Sequence, residues 1–363
     1  MIFNDFYAGK KVLVTGHTGF KGSWLTAWLV RLGAEVCGIA LDVPTEPAHW
    51  SLLNLPVRSE ICDIRDREKV RRIFAEFQPE MVFHLAAQPL VRLSYSVPVE
   101  TFDVNVMGTV NVLDICRQTP SVRSAVVVTS DKCYENLERP QGYTESDAMG
   151  GYDPYSASKG CAELVTAAYR RSFFHPDDYG TKHGTLIASA RAGNVIGGGD
   201  WALDRLVPDI MKAAAKKVPA RIRNPKATRP WQHVLEPLRG YLLLGMELFK
   251  GRSGFAGAWN FGPSHDGVIC VGEAAKMLKA AWDTVEFTID EVPDSPHEAT
   301  LLHLNCTKAE KELNWHGVLA PAEMFELTAG WYREFYSGNR VITVGQIAEY
   351  ESLAEERNPV WTE

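Results

Sequence analysis

Absences bound this chain first. Its seven cysteines (Cys37, Cys62, Cys116, Cys133, Cys161, Cys270 and Cys306) are odd in number, scattered and without a CxxC pair. That excludes a disulfide framework and leads us to expect reduced thiols in a cytoplasmic protein. Ten histidines show no ligand spacing, so no metal is expected. No apolar run reaches membrane-spanning length, and Met1 to Lys11 lacks the apolar core of a signal peptide. An excess of positive charge is also missing: the net charge of -7 argues against a nucleic-acid surface. An anionic small molecule must therefore meet a local positive site. Internal repeats and low-complexity segments are absent too. What remains is a 363-residue chain, 45% hydrophobic and 23% charged, long enough for one large domain or two ordinary ones.

Lys11-Val12-Leu13-Val14 reads as a short strand ending at Thr15, and Trp24 to Arg31 has helical character. Between them lies Gly16-His17-Thr18-Gly19-Phe20-Lys21-Gly22. Glycines there let the chain bend tightly and let backbone N–H groups approach a pyrophosphate at the helix N-terminus. We take Gly16, His17, Thr18, Gly19, Phe20 and Gly22 as cofactor-binding. A glycine triplet alone is weak; the strand–turn–helix context raises it. Val36 to Leu41 reads as a second strand, followed by Asp42. An acid there binds both ribose hydroxyls and repels a 2′-phosphate, which favours NAD over NADP. The plainer alternative is an aspartate opening an Asp42-Val43-Pro44 turn. Asp63 and Ile64 follow a third strand, where Asp63 is placed to accept from an adenine amino group. Met81 to Ala87 is a fourth strand running into small residues, and Ala86 permits close passage of the cofactor. Ala125 to Thr129 is a fifth. Strands alternating with helical segments indicate a doubly wound parallel sheet.

The fifth strand runs into Thr129-Ser130-Asp131-Lys132-Cys133-Tyr134, and Tyr155-Ser156-Ala157-Ser158-Lys159 follows. A Tyr and a Lys four apart on a helix share a face, about 6 Å apart along its axis. Alone, that spacing usually marks an amphipathic surface helix, and Ser-Asp-Lys a solvated turn. Beside a dinucleotide turn, both point to proton transfer coupled to oxidation of an alcohol.

These motifs, with His84-Leu85-Ala86-Ala87, resemble the extended short-chain dehydrogenase/reductase superfamily. Arg191 to Trp201 and Arg229-Pro230-Trp231-Gln232-His233-Val234 are similar to its nucleotide-sugar dehydratase branch, and the likeness runs from about Phe6 to Tyr336. Asp131-Lys132 stands where TDP- and GDP-sugar dehydratases typically carry Asp-Glu, and a lysine there resembles the branch that takes CDP-glucose. The resemblance implies a Rossmann-type sheet with a smaller, discontinuous α/β substrate domain, bound NAD, and 4,6-dehydration in deoxysugar and cell-surface polysaccharide synthesis. It implies Tyr155 as base for the C4 hydroxyl, supported by Lys159, with Ser130 on the C4 oxygen. Asp131, in its protonated form, would be the acid to the C6 hydroxyl. Lys132, as a neutral amine, would take the C5 proton, with Glu135 as second candidate and a plain Asp131–Lys132 ion pair as the inert alternative.

Asn194 is expected on a sugar-phosphate oxygen and Arg229 and His233 at the diphosphate, with Arg191 also taken as substrate-binding. Trp201 is counted with the substrate-binding residues, to stack on a base, and filling the core is the alternative for it and for Trp231. We expect a nucleotide domain of residues 1–194, 233–263 and about 300–320. A substrate domain would take 195–232, 264–299 and 321–348, leaving 349–363 as a polar tail. Within the substrate half, helices are predicted over Pro208 to Lys217 and Gly272 to Asp283, and strands at Arg221 to Arg223 and Phe287 to Ile289. Ala258 to Phe261 should return to the main sheet. A homodimer or dimer of dimers is implied, packed through helices after Val99 and the one bearing Tyr155. Competing readings are an epimerase of nucleotide hexoses and an NAD(H)-responsive binding protein.

Overall fold

The computed structural model describes residues 2–203, 205–263, 267–289 and 302–358. Seven strands form the central sheet: β1 (Lys11–Thr15), β2 (Glu35–Ala40), β3 (Arg58–Ile61), β4 (Met81–His84), β5 (Ser124–Val128), β6 (Leu186–Arg191) and β7 (Ala258–Asn260). Their order is β7-β6-β5-β4-β1-β2-β3, and every pairing is parallel. The inner strands are apolar runs because helices cover both faces. Side chains alternate between two cores: Val12, Val14, Met81, Phe83, Val126 and Val128 enter one, and Leu13, Val82, Ala125 and Val127 the other. The chain runs outward from β1 to β3, then crosses back to β4. The switch point therefore opens between the carboxyl ends of β1 and β4, where ligands of such sheets gather.

The other half is built from short strand pairs. Val195–Ile196 runs parallel to Gln232–His233, Ala220–Ile222 parallel to Phe287–Ile289, and Thr228–Pro230 antiparallel to Val268–Cys270. Helices Leu206–Ala215, Val271–Ala281 and Pro321–Gly338 pack around them. The first two begin one or two residues before their predicted starts, and the return at Ala258 forms edge strand β7.

The polar tail requires correction. Thr343–Arg357 is a helix, with Ile347, Tyr350 and Ala354 fully buried on one face. It lies on the nucleotide half: Trp28 Nε1 donates to Glu351 Oε1 (2.9 Å), and Tyr350 donates to Glu236 Oε2 (2.6 Å). Residues 359–363 of that predicted tail, and 264–266 and 290–299 of the predicted substrate domain, lie outside the described residues.

Candidate active site

The nucleotide turn is shaped by contact as much as by flexibility. Gly16 has φ +78°, and a Cβ there would sit 2.8 Å from the Ala86 nitrogen, so turn and β4 end nearly touch. A Cβ on Gly22 would lie 2.0 Å from the Gly16 carbonyl oxygen. Gly19 precedes helix Phe20–Arg31 without a side-chain cap, and a Cβ there would meet only Gly16 O, at 3.3 Å. The first-turn N–H groups of a helix have no intrahelical partner, and such an uncapped end suits a pyrophosphate.

Side chains around this turn divide into those facing the cleft and those spent on packing. His17 is buried, with Nε2 2.7 Å from Ser59 Oγ and its ring against Trp50 and Gly38. Burial pushes its imidazole down to about 4. Only the His17 backbone is therefore left to serve the cofactor. Thr18 is bonded to the Leu41 carbonyl (3.4 Å), and Phe20 lies beside Gly197. Asp42 is exposed just past β2, and its Oδ1 accepts from Val43 N (2.7 Å), as an aspartate opening a turn would. Asp63 is engaged by Arg65 through Nη2 (2.6 Å) and Nε, and that pairing lowers the carboxyl's pKa. Ile64 turns its side chain into Gly108, so the core takes it.

Helix Pro154–Ser172 carries the Tyr–Lys pair. Pro154 opens it, and Asp153 caps it by accepting from Ser156 N (3.0 Å) and Ser156 Oγ (2.6 Å). Opposite, the end of β5 closes in a single turn, Asp131–Cys133, where Ser130 Oγ donates to Asp131 Oδ1 (2.8 Å). Asp131 Oδ2 is buried with no hydrogen-bond partner among the described residues. Its carboxyl occupies the space beside Gly193, where a Cβ would fall 1.9 Å from Oδ2. Burial pushes the Tyr155 phenol up to about 12; hydrogen bonding with Ser130 opposes this, and Asp131 adds to it. Burial pulls the Lys159 amine down to about 8, against the charge of Glu163. Its Nζ points to the Val128 carbonyl (3.4 Å). Ser130, Asp131, Tyr155 and Lys159 thus gather about the carboxyl end of β5.

Lys132 is half-buried and, among the described residues, makes no ion pair with Asp131, so the inert pairing is not formed. Nor is it among the charges acting on Lys159. Glu135 is exposed and lies over Gly150.

Three substrate expectations need correction, because motif proximity says nothing about side-chain direction. Arg191 is buried in an ion pair with Glu163 (2.7 Å) and donates to Tyr134, deep behind the catalytic helix. His233 is fully enclosed against Trp24, and burial pushes its imidazole down to about 3. Trp201 packs among Trp331, Tyr332 and Phe335, and donates to Tyr336 (2.9 Å). Trp231 likewise joins the core. Asn194, at φ 44°, sits in the loop beyond β6, and Arg229 is half-buried on the short strand Thr228–Pro230. Neither of these two is enclosed in the core.

Three residues escaped the sequence reading. Glu163 accepts from Thr129 (2.5 Å), Ser189 (2.7 Å) and Arg191, tying the catalytic helix to β5 and β6. Its signal was the four-residue step from Lys159. Lys21 and Arg205 both lie within electrostatic reach of the cluster: Lys21 of Asp131 and Lys159, and Arg205 of Tyr155. A lysine between Phe20 and Gly22, the one residue of the turn with a permanently charged side chain, was the available clue to the first.

The parallel sheet, the nucleotide turn and the Ser–Tyr–Lys set define a short-chain dehydrogenase/reductase fold of the epimerase and dehydratase kind. Residues 13–328 match the family described as GDP-mannose 4,6 dehydratase, and the chain belongs to that family. A CDP-glucose 4,6-dehydratase of Salmonella typhimurium is 48% identical over 357 residues, covering 97% of this chain and 99% of its own. Among solved structures, epimerase Mth375 of Methanothermobacter thermautotrophicus superposes with a TM-score of 0.79 at 26% identity, covering 93% and 96% of the two chains. A UDP-glucose 4-epimerase of Thermus thermophilus, solved with NAD, gives 0.75 at 26% identity, covering 89% and 99%.

Proposed function

We propose that this protein is a CDP-glucose 4,6-dehydratase that uses NAD and yields CDP-4-dehydro-6-deoxyglucose. The carrying observation is Asp131, a buried carboxyl held by Ser130 beside Tyr155. Oxidation and epimerisation need only the hydroxyl, phenol and amine. A carboxyl added to that set supplies an acid for a leaving hydroxyl. The full-length likeness to the Salmonella typhimurium enzyme supports the CDP-sugar as substrate.

The chemistry follows from acidity. A sugar C5 proton is barely acidic until C4 becomes a ketone, after which loss of the C6 hydroxyl is a β-elimination. NAD, when bound, supplies the hydride acceptor for C4 and returns the hydride at C6. Tyr155 takes the C4 hydroxyl proton as Ser130 holds that oxygen, and Lys159 lies one helical turn below on the same face. The phenol's elevated pKa means that it needs added positive charge nearby to act as a base. Asp131 gives its proton to the departing C6 hydroxyl, and Lys132 is assigned the C5 proton. Asn194 and Arg229 are assigned to the diphosphate, and Asp42 and Asp63 to the adenosine half of NAD.

We further propose a homodimer. Val99, Phe102 and Met107, and Leu164 on the catalytic helix, are exposed apolar side chains on helices suited to pack against a second copy. A monomeric mass in solution at micromolar concentration refutes it. No helix among the described residues is long and apolar enough to cross a membrane, and the seven cysteines are all free; both support the cytoplasmic reading.

The test is incubation with CDP-glucose and NAD in heavy water. Loss of water, one solvent deuteron in the product and an alkali-developed 4-keto chromophore, without net NADH, are expected. An unchanged substrate mass sinks the dehydratase reading and directs the assay to epimerisation and other nucleotide sugars.

A further inference from the structure

The mechanism makes no use of His84, an imidazole enclosed at the carboxyl end of β4. It stands opposite Thr15 in the parallel register of β1 and β4. Its Nδ1 lies 2.7 Å from Thr15 Oγ1, one residue before Gly16, and its Nε2 lies 3.1 Å from Thr109 Oγ1. From Thr109 the bonds continue toward the catalytic helix. Thr109 Oγ1 donates to the Asn105 carbonyl (2.7 Å), and Asn105 Nδ2 donates to Ser158 Oγ (2.8 Å). Ser158 Oγ in turn donates to the Tyr155 carbonyl (2.7 Å). Asn105 also brackets the loop beyond β4, accepting from Gln88 N (2.8 Å) and donating to Gln88 O (3.1 Å). It lies in Asp103–Met107, a π-helical turn leading into helix Gly108–Gln118, and such turns recur at functional positions. Thr15, His84, Thr109, Asn105 and Ser158 are all buried.

This chain of bonds permits one arrangement of protons. A carbonyl has no proton to give, so the single Thr109 hydroxyl proton goes to the Asn105 carbonyl. Thr109 Oγ1 can then only accept from His84, which puts the imidazole N–H on Nε2. Nδ1 is left as a lone pair, and Thr15 donates its hydroxyl proton to it. The Thr15 oxygen still accepts from the backbone N–H groups of Leu85 and Ala86, each at 3.2 Å. A second imidazole proton, on Nδ1, would make Thr15 the acceptor of three N–H groups and strand its own proton. Burial, with the Lys159 charge adding to it, pushes the imidazole down to about 3, in agreement.

From this geometry we infer that His84, neutral and protonated on Nε2, is a positioning residue that locks the nucleotide turn and the catalytic helix at one separation. It acts on the NAD seat through Thr15 and on hydride transfer through the turn that carries Tyr155. The inference rests on the NAD-dependent dehydratase reading. The separation matters because Gly16 and Ala86 already nearly touch, with 2.8 Å between a Cβ on the one and the nitrogen of the other. A shift of about 1 Å between groups that hold the cofactor and groups that face the sugar can cost about 10²-fold in rate.

Wild-type protein, His84→Phe, His84→Asn and His84→Gln are compared. With 15N-labelled histidine, the nitrogen resonances lost in the variants should show the N–H on Nε2 and a bare Nδ1, unchanged between about pH 8 and 6. His84→Phe keeps a ring and loses both bonds. Its NAD affinity, read by fluorescence titration without substrate, should fall about tenfold. Its kcat at saturating NAD and CDP-glucose should fall about 10²-fold, with KM for the sugar nearly unchanged. The amides separate the two ends. Asparagine branches where Nδ1 stands and keeps an acceptor for Thr15, so His84→Asn should recover NAD affinity and not kcat. Glutamine reaches the place of Nε2 and keeps a donor for Thr109, so His84→Gln should recover kcat and not the affinity. Packing alone predicts that all three variants lose both properties in step with their melting temperatures. That outcome overturns the inference, as does an Nδ1–H or doubly protonated imidazole, or a kcat loss under about tenfold in His84→Phe. Should the phenylalanine variant fail to fold, Thr109→Val, which withdraws the Nε2 partner, stands in, with kcat lost and NAD affinity kept. A wild-type protein inert toward CDP-glucose defeats the functional reading instead, while the nitrogen spectrum and the NAD titration still decide this one.

Discussion

At the scale of single residues, the active site depends on what small side chains leave free. Gly193 has no conformational need to be glycine; it is one because the Asp131 carboxyl occupies the place of its Cβ. Gly193→Ala must displace either the carboxyl or the strand end. We expect a stability cost of about 1–3 kcal/mol and a loss of dehydration of about 10²-fold or more. Urea titration and product assay read the two effects, and a fully active Gly193→Ala enzyme disproves the placement of Asp131. Such contacts explain which residues could be read in advance. Tyr155, Lys159, Ser130 and Asp131 were legible because their spacing and strand-end position fix where they lie. Arg191, His233 and Trp201 were misplaced because a motif gives a backbone address and no direction. Each of the three turns inward, toward Glu163, Trp24 or a cluster of aromatic rings.

At the scale of elements, strands and helices followed their hydrophobic patterns closely, since the inner strands of the sheet are apolar on both faces. Helix Thr343–Arg357 did not. Its fully buried apolar residues are only Ile347, Tyr350 and Ala354 among many charged ones, too sparse to stand out from a solvated tail. Yet Thr343 Oγ1 meets both His49 Nε2 (2.7 Å) and Trp331 Nε1 (2.9 Å), and those two rings fill the space beside Gly199 and Gly198. The helix thus fixes the glycine loop beyond Asn194 as well as covering Trp28. Tyr350→Ala is expected to cost about 3–5 kcal/mol, measured by the denaturant midpoint. A loss below about 1 kcal/mol would mean that the helix is peripheral to the fold.

At the scale of the whole molecule, buried imidazoles set the response to acid. Burial pushes His49, His84 and His233 down to about 3, and His17 to about 4. In the unfolded chain these groups titrate near roughly 6.5. The folded state therefore binds fewer protons below that pH, and stability falls as pH drops from about 6.5 toward 3. Each histidine contributes roughly 1.4 kcal/mol per pH unit within that window. Glu163 acts in the same direction at lower pH: burial raises its carboxyl, but Arg191, Thr129 and Ser189 hold it below its ordinary value. Denaturant melts between about pH 7.5 and 5 should lose several kcal/mol, and a flat profile contradicts the enclosure of these rings.

The bond between Trp28 and Glu351 joins positions 323 apart in sequence. On a ribosome adding about 5–20 residues per second, the outer face of the first nucleotide helix waits on the order of tens of seconds for its cover. During that interval Trp28 and its apolar neighbours are exposed on a chain whose first strands can already pair. Synthesis of this protein thus has a built-in vulnerable period, and chaperones that hold exposed apolar surface have their target near the beginning of the chain.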